Sequence, residues 1–221
     1  MEIKSVTESI VHYLRDHIIS GDFAPGQKLT EMELSAQMGV SRPPLREALR
    51  IMEKDNLVIR IPRKGTYVTK LSIEDLKQVY RAREMIESYV MDILKQGDRR
   101  DLPEVSKALD RATSLSPPAE EDTAEMIQYL DAFTDFHVKL VEAAGNQWVL
   151  RFYDSITLSL ARYQFMCLHI PGLTSRSYEM HGEILDLIGD GLFDRAKEVL
   201  ITHVHMTTRF IEERLEKSFD R

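Results

Sequence analysis

The chain has 221 residues, enough for one large or two smaller domains, and its 43% hydrophobic and 29% charged content suits a soluble globular protein rather than a disordered or membrane one. No apolar run is long enough to span a bilayer, and the N-terminus MEIKSVTESIVHYL lacks the basic and apolar regions of a secretory signal, so the protein is expected in the cytoplasm with no membrane partner. The net charge of −7 argues against nucleic acid until its distribution is read: residues 1–70 hold 11 Lys/Arg against 9 Asp/Glu, whereas residues 41–70 alone hold 8 against 3.

Val6 to Ser20 reads as an amphipathic helix with Ile10, Val11, Leu14 and Ile18 on one side, ended by Gly21. His12 and His17 are expected on its surface without partners. After a turn at Pro25-Gly26, Thr30 opens a short helix, with Glu33 completing a capping box and Gly39 stopping it. Ser41 can cap the next helix, which runs to Lys54. Pro43 and Pro44 fit its first turn, and Leu45, Ala48, Leu49 and Met52 form its apolar face. Arg42, Arg46 and Arg50, four apart, make a cationic stripe able to reach phosphates or the acceptor edge of guanine, while Glu47 beside them weakens it. Leu57–Arg60 and Thr66–Thr69 read as strands joined by Ile61-Pro62-Arg63-Lys64-Gly65, a hairpin with a basic tip.

The stretch ISGDFAPGQKLTEMELSAQMGVSRPPLREAL, with the hairpin ending RKGTYV, closely resembles the winged helix-turn-helix of the GntR family of bacterial transcription regulators, over about residues 7–70. That resemblance implies binding to a double-stranded DNA operator, with Ser41, Arg42, Pro43 and Arg46 where the recognition helix touches DNA and Lys64 and Gly65 where the wing approaches the minor groove. Met32 departs from the pattern, since some relatives place an arginine there.

A domain boundary is expected near Lys70-Leu71-Ser72, giving domains 1–70 and 71–221, and Ser72 with Glu74 and Asp75 reads as a capped helix start. Beyond it the pattern is helical throughout, with helices expected at 73–96, 101–115, 121–143, 146–169, 175–189 and 192–217. The fold class is therefore mainly α, a winged helix-turn-helix followed by an antiparallel bundle of about six helices. The stretches REMIE from Arg83, DFHVKLVEAAGN from Asp135, HGEILDLIGDGLFDRA from His181 and Thr202-His203 resemble the FadR-like branch of the family. There a C-terminal helical domain, FCD, dimerises and binds a small metabolite, often a carboxylate, and many members hold a divalent metal through one aspartate and three histidines.

By that resemblance His137, His181 and His203 are the candidate ligands of a metal such as zinc and of the effector. The aspartate, four residues before the first histidine in relatives, is Phe133 here. Asp135 and Asp131 lie off that row, so no local carboxylate replaces it. A three-histidine metal site and a metal-free pocket of hydrogen-bonded histidines both remain open. Arg83 can face the effector, or form an ordinary pair with Glu87 on a solvated helix face, which is the expected reading. His169 and His205 are expected bystanders, the lone Cys167 a buried thiol, and Trp148, Phe152, Tyr153 and Tyr163 core or dimer-interface residues.

Two functions are carried forward: a homodimeric, ligand-responsive transcription regulator, and a metal-dependent enzyme using the three histidines. No nucleophile elbow or phosphate loop supports the second.

Overall fold

A computed structural model describes residues 5–118, 122–168, 170 and 172–219. His169, expected to be a bystander, lies outside the described residues. The fold divides after Leu71 into two compact units.

The first unit opens with α1 (Val6–Ser20). Ser5 caps it, its hydroxyl accepting from the Glu8 N–H while the Glu8 carboxylate accepts from the Ser5 N–H. Gly21 ends it at φ 89°, a left-handed position that glycine takes without a Cβ clash. Strand β1 (Lys28–Leu29), helices α2 (Glu31–Met38) and α3 (Arg42–Lys54), and strands β2 (Val58–Ile61) and β3 (Gly65–Val68) follow. Leu45, Ala48, Leu49 and Met52 of α3 are buried, sealed by Leu14 of α1, Leu34 of α2 and Leu57. His17 is not partnerless as expected: its Nδ1 lies 2.7 Å from Asp22 Oδ2.

Two expectations about caps are corrected. Neither Thr30 nor Ser41 caps its helix with a side-chain hydrogen bond. At Ser41 the reason lies in the sequence, since Pro43 and Pro44 stand at the second and third helical positions and lack the N–H groups from which a capping hydroxyl would accept. The wing is also more than a hairpin: the antiparallel order is β1-β3-β2, with Lys28 opposite Tyr67 and Ile61 opposite Gly65. A two-residue strand leaves too little alternation to be read from sequence.

The second unit is helical among its described residues: α4 (Ile73–Gln96), α5 (Pro103–Ser114), α6 (Thr123–Ala143), α7 (Gln147–Phe165), α8 (Leu173–Gly189) and α9 (Phe193–Phe219). Ser72 caps α4 by accepting from Asp75 N–H, and the Tyr163 hydroxyl donates to Asp75 Oδ2 at 2.7 Å, tying α7 to that cap. Asn146 caps α7 through the N–H groups of Trp148 and Val149. Helix α7 stops four residues earlier than expected, at Phe165.

Helix α4 packs against α6, α7 and α9. Along α4 and α9 four ion pairs follow a strict antiparallel register: Lys77–Glu212 (2.7 Å), Glu84–His205 (2.9 Å), Asp92–Lys197 (2.8 Å) and Lys95–Asp194 (2.7 Å). Each step down one helix matches an equal step up the other. Beneath them Leu76, Val90, Met91 and Leu94 of α4 and Leu200, Val204 and Ile211 of α9 form the core. No helix among the described residues is long and apolar enough to cross a membrane.

Candidate functional site

In the first unit, Arg42, Arg46 and Arg50 are exposed along α3, opposite its buried apolar face, and Ser41 and Pro43 are exposed at its start. Arg46 is not free, because its Nε donates to Glu31 Oε2 at 2.7 Å, while Arg50 Nη1 lies 3.5 Å from Glu47 Oε2. At the wing tip Lys64 and Gly65 are exposed and Arg63 has a φ of 64°. Gly65 stands at φ 115°, and a Cβ there would come within 3.2 Å of Lys28 Cε. Lys28 therefore joins the basic tip, a placement that only the β1–β3 pairing reveals.

In the second unit, His137 of α6, His181 of α8 and His203 of α9 converge, each almost wholly buried. One ligand atom from each lies within 4.8 Å of the others, and the Nε2 atoms of His181 and His203 are 3.3 Å apart. That distance is a hydrogen-bond contact between the two rings and is also close to the roughly 3.3 Å edge of a tetrahedron whose metal–nitrogen bonds are about 2.0–2.1 Å, so this pair accommodates either a shared proton or a metal. The Phe136 ring stacks on His181 at 4.0 Å and 3°, fixing its plane. Phe133 is buried beside Tyr178, with ring centroids 5.7 Å apart, and 6.4 Å from the His181 ring, so it walls the cluster without separating the imidazoles.

Burial lowers the pKa of all three histidines. The Arg83 charge adds to this at His137, and neighbouring imidazoles followed by Arg83 do so at His181 and His203. They are therefore neutral, the form in which an imidazole nitrogen binds a metal. The donor set fits a divalent ion of borderline softness such as zinc.

The sequence placed no carboxylate at this cluster, and α4 supplies one. Glu87 Oε1 lies 3.2 Å from His137 Nδ1, accepts from Arg83 Nε at 2.8 Å and from the Tyr153 hydroxyl at 2.9 Å. With Nδ1 turned to Glu87, the other ring nitrogen of His137 is the one left for a ligand. Burial would raise the Glu87 pKa, but the Arg83 charge, then His137, hold it well below the usual carboxylate range. Burial likewise opposes the Arg83 charge, and Glu87 overrides it. The expected Arg83–Glu87 pair thus exists, but not on a solvated face: both side chains are 0% exposed. Helical spacing shows which residues meet along one helix, not what covers them. Nη1 and Nη2 of Arg83 and Oε2 of Glu87 have no well-formed hydrogen bond among the described residues. His205 is exposed and paired with Glu84, apart from the cluster.

Residues 6–68 match the family model of the bacterial regulatory proteins of the gntR family, and residues 78–206 match that of the FCD domain. The chain belongs to the GntR family. This GntR-family chain is 24% identical over 213 residues to the HTH-type transcriptional regulator BphR of Paraburkholderia xenovorans, covering 96% of this chain and 87% of that one. It is 25% identical over 207 residues to the gluconate operon transcriptional repressor of Bacillus licheniformis, covering 92% and 82%. With the regulator YdhC of Bacillus subtilis the identity is 32%, over 61% of this chain and 58% of the relative. A GntR transcriptional regulator from Rhodococcus sp. RHA1 superposes with a TM-score of 0.75 at 25% identity, covering 94% of this chain and 98% of its own.

The protein is accordingly a DNA-binding transcription regulator whose second unit is an effector-binding FCD domain, and not an enzyme. The reading of the histidine cluster as the centre of a metal-dependent enzyme finds no support in these matches.

Proposed function

We propose that this regulator acts in the cytoplasm as a homodimer that sets two winged helices, residues 1–70 of each chain, on a short, roughly palindromic operator. Ser41, Arg42, Pro43, Arg46 and Arg50 of α3 enter the major groove, and Lys64 and Gly65 carry the wing to the minor groove. The exposure of the arginines on the face of α3 opposite its core supports this. For the dimer, α4 and α7 pack together and leave Met85 (68% exposed), Tyr89 (51%), Trp148 (65%) and Phe152 (60%) outside, large apolar side chains of the kind that copies of a chain bury.

In residues 71–221, His137, His181 and His203 hold one divalent metal such as zinc, and a small carboxylate effector binds beside it. The observation that carries this reading is the meeting of three neutral, buried imidazoles with a buried guanidinium whose two Nη groups make no well-formed hydrogen bond among the described residues. A bound metal supplies an open position for a carboxylate oxygen. Arg83 would take the same carboxylate through its Nη fork, and Glu87 holds both Arg83 and His137 in place. Effector binding then alters operator affinity.

Elemental analysis of protein purified without a metal-affinity column, repeated after chelator dialysis and zinc readdition, tests the metal. One ion per chain is the expected result. No metal after readdition, with the fold intact, would leave a metal-free pocket in which Arg83 and the histidines bind the effector by hydrogen bonds alone.

A further inference from the structure

Arg46 is the one member of the α3 stripe held by a different helix. Its partner, Glu31, is the first residue of α2, fifteen positions earlier. The burial of Leu34 on α2 and of Leu45, Ala48 and Leu49 on α3 fixes the two helices against each other, so the Glu31–Arg46 approach is set by the core. The bond uses Nε, at 2.7 Å. An arginine gripped at Nε keeps its Nη1 and Nη2 edge open, and the end-on fork is one of the ways arginine reads the O6 and N7 of guanine. Met32, next along α2, is 62% exposed and offers neither charge nor donor to DNA.

We infer that Glu31 is a positioning residue for DNA reading: it grips Arg46 side-on, limits its rotamers and presents its fork to a base edge, so that α2 contributes to operator specificity without touching a base. This rests on α3 being the helix that reads DNA. As an exposed ion pair it adds little to the fold, because solvent screens such pairs. Its effect lies in preorganisation, since a long side chain ordered before binding loses less freedom on binding. The Glu31 carboxylate also repels phosphate, so it weakens binding to any sequence while sharpening the choice among sequences.

The test uses the full-length protein and an operator selected from random double-stranded DNA. Affinity is measured for the operator, for single-base variants of it and for unrelated DNA at one salt concentration, with wild type, Glu31→Ala, Glu31→Gln and Arg46→Ala. Glu31→Ala is expected to bind unrelated DNA more tightly and to lose about fivefold in the ratio of specific to non-specific affinity, with the loss concentrated at the base pair where Arg46→Ala also loses discrimination. Glu31→Gln retains an oxygen that accepts from Nε, so it should recover most of the ratio while still binding unrelated DNA more tightly. An unchanged ratio in Glu31→Ala, or an equal loss in Glu31→Gln, overturns the positioning role. If Arg46→Ala itself discriminates as wild type does, the reading of α3 fails, and the role of Glu31 with it.

Discussion

Glu87 Oε1 accepts from Arg83 and Tyr153 and faces His137, so one oxygen joins α4, α6 and α7 at the centre of the effector unit. Removing one partner of a buried ion pair leaves the other charge uncompensated, at a cost of about 3–5 kcal/mol. Glu87→Ala should therefore lower unfolding free energy by about that much in denaturant titrations; a loss under about 1 kcal/mol would mean that Arg83 is not buried as described. Cys167 gives a second residue-scale expectation. Burial, only partly offset by Arg214, pushes its thiol from 9.0 up to about 12. Because the folded state holds this proton more tightly, the stability it contributes is whole below pH 9.0 and is lost as pH rises toward 12. Cys167 should resist alkylation by iodoacetamide at pH 8 in native protein and react readily when unfolded. Rapid native labelling would contradict its burial. At this scale the sequence was legible unevenly. The spacing of Arg83 and Glu87 announced a pair and the three histidines could be singled out, but the burial of that pair, and the approach of Glu87 to His137, depend on helices far apart in the chain.

At the scale of the elements, the four ion pairs between α4 and α9 set register rather than stability. Lys197→Ala removes the contact with Asp92 and should cost under about 1 kcal/mol, whereas Leu94→Ala, fully buried beneath the same ladder, should cost about 2–5 kcal/mol. The opposite ranking would make the ladder the main bond between the two helices. The outer faces of α4 and α7 carry a different expectation. If they are where two copies meet, Trp148→Asp with Phe152→Asp should shift sedimentation velocity from dimer to monomer without changing the helical circular dichroism, and a persisting dimer would place the interface elsewhere. Helical period made these helices readable from the letters, because long amphipathic repeats such as that from Ile73 to Gln96 are strong signals. Their ends were less so. Helix α7 stops at Phe165 although apolar residues continue, and Ser41 precedes a helix whose two prolines leave it little to cap. Strand β1 exists because β3 offers it an edge, a tertiary fact with almost no local trace.

For the whole molecule, the opposed charges of the two parts bear on partner choice. Residues 1–70 carry net +2 and residues 71–221 net −9, so the acidic part does not compete with the basic face of α3 for phosphate. Assignment to the GntR family was legible because a long pattern with fixed internal spacings survives in residues 6–68. The identity of the effector was not, because a binding site is set by how side chains from helices far apart in the chain are arranged, and many arrangements share these letters. The central claim is that the buried histidine cluster of the FCD domain, as proposed above, governs the grip of α3 on DNA. The measurement that tests it most directly is operator affinity for wild type and His181→Ala, titrated with small carboxylates in the presence of zinc. The account predicts that one such compound shifts wild-type affinity by about 5–150-fold, while His181→Ala binds the operator normally and does not respond. A His181→Ala protein that keeps the full dose–response would remove the histidine cluster from the switch.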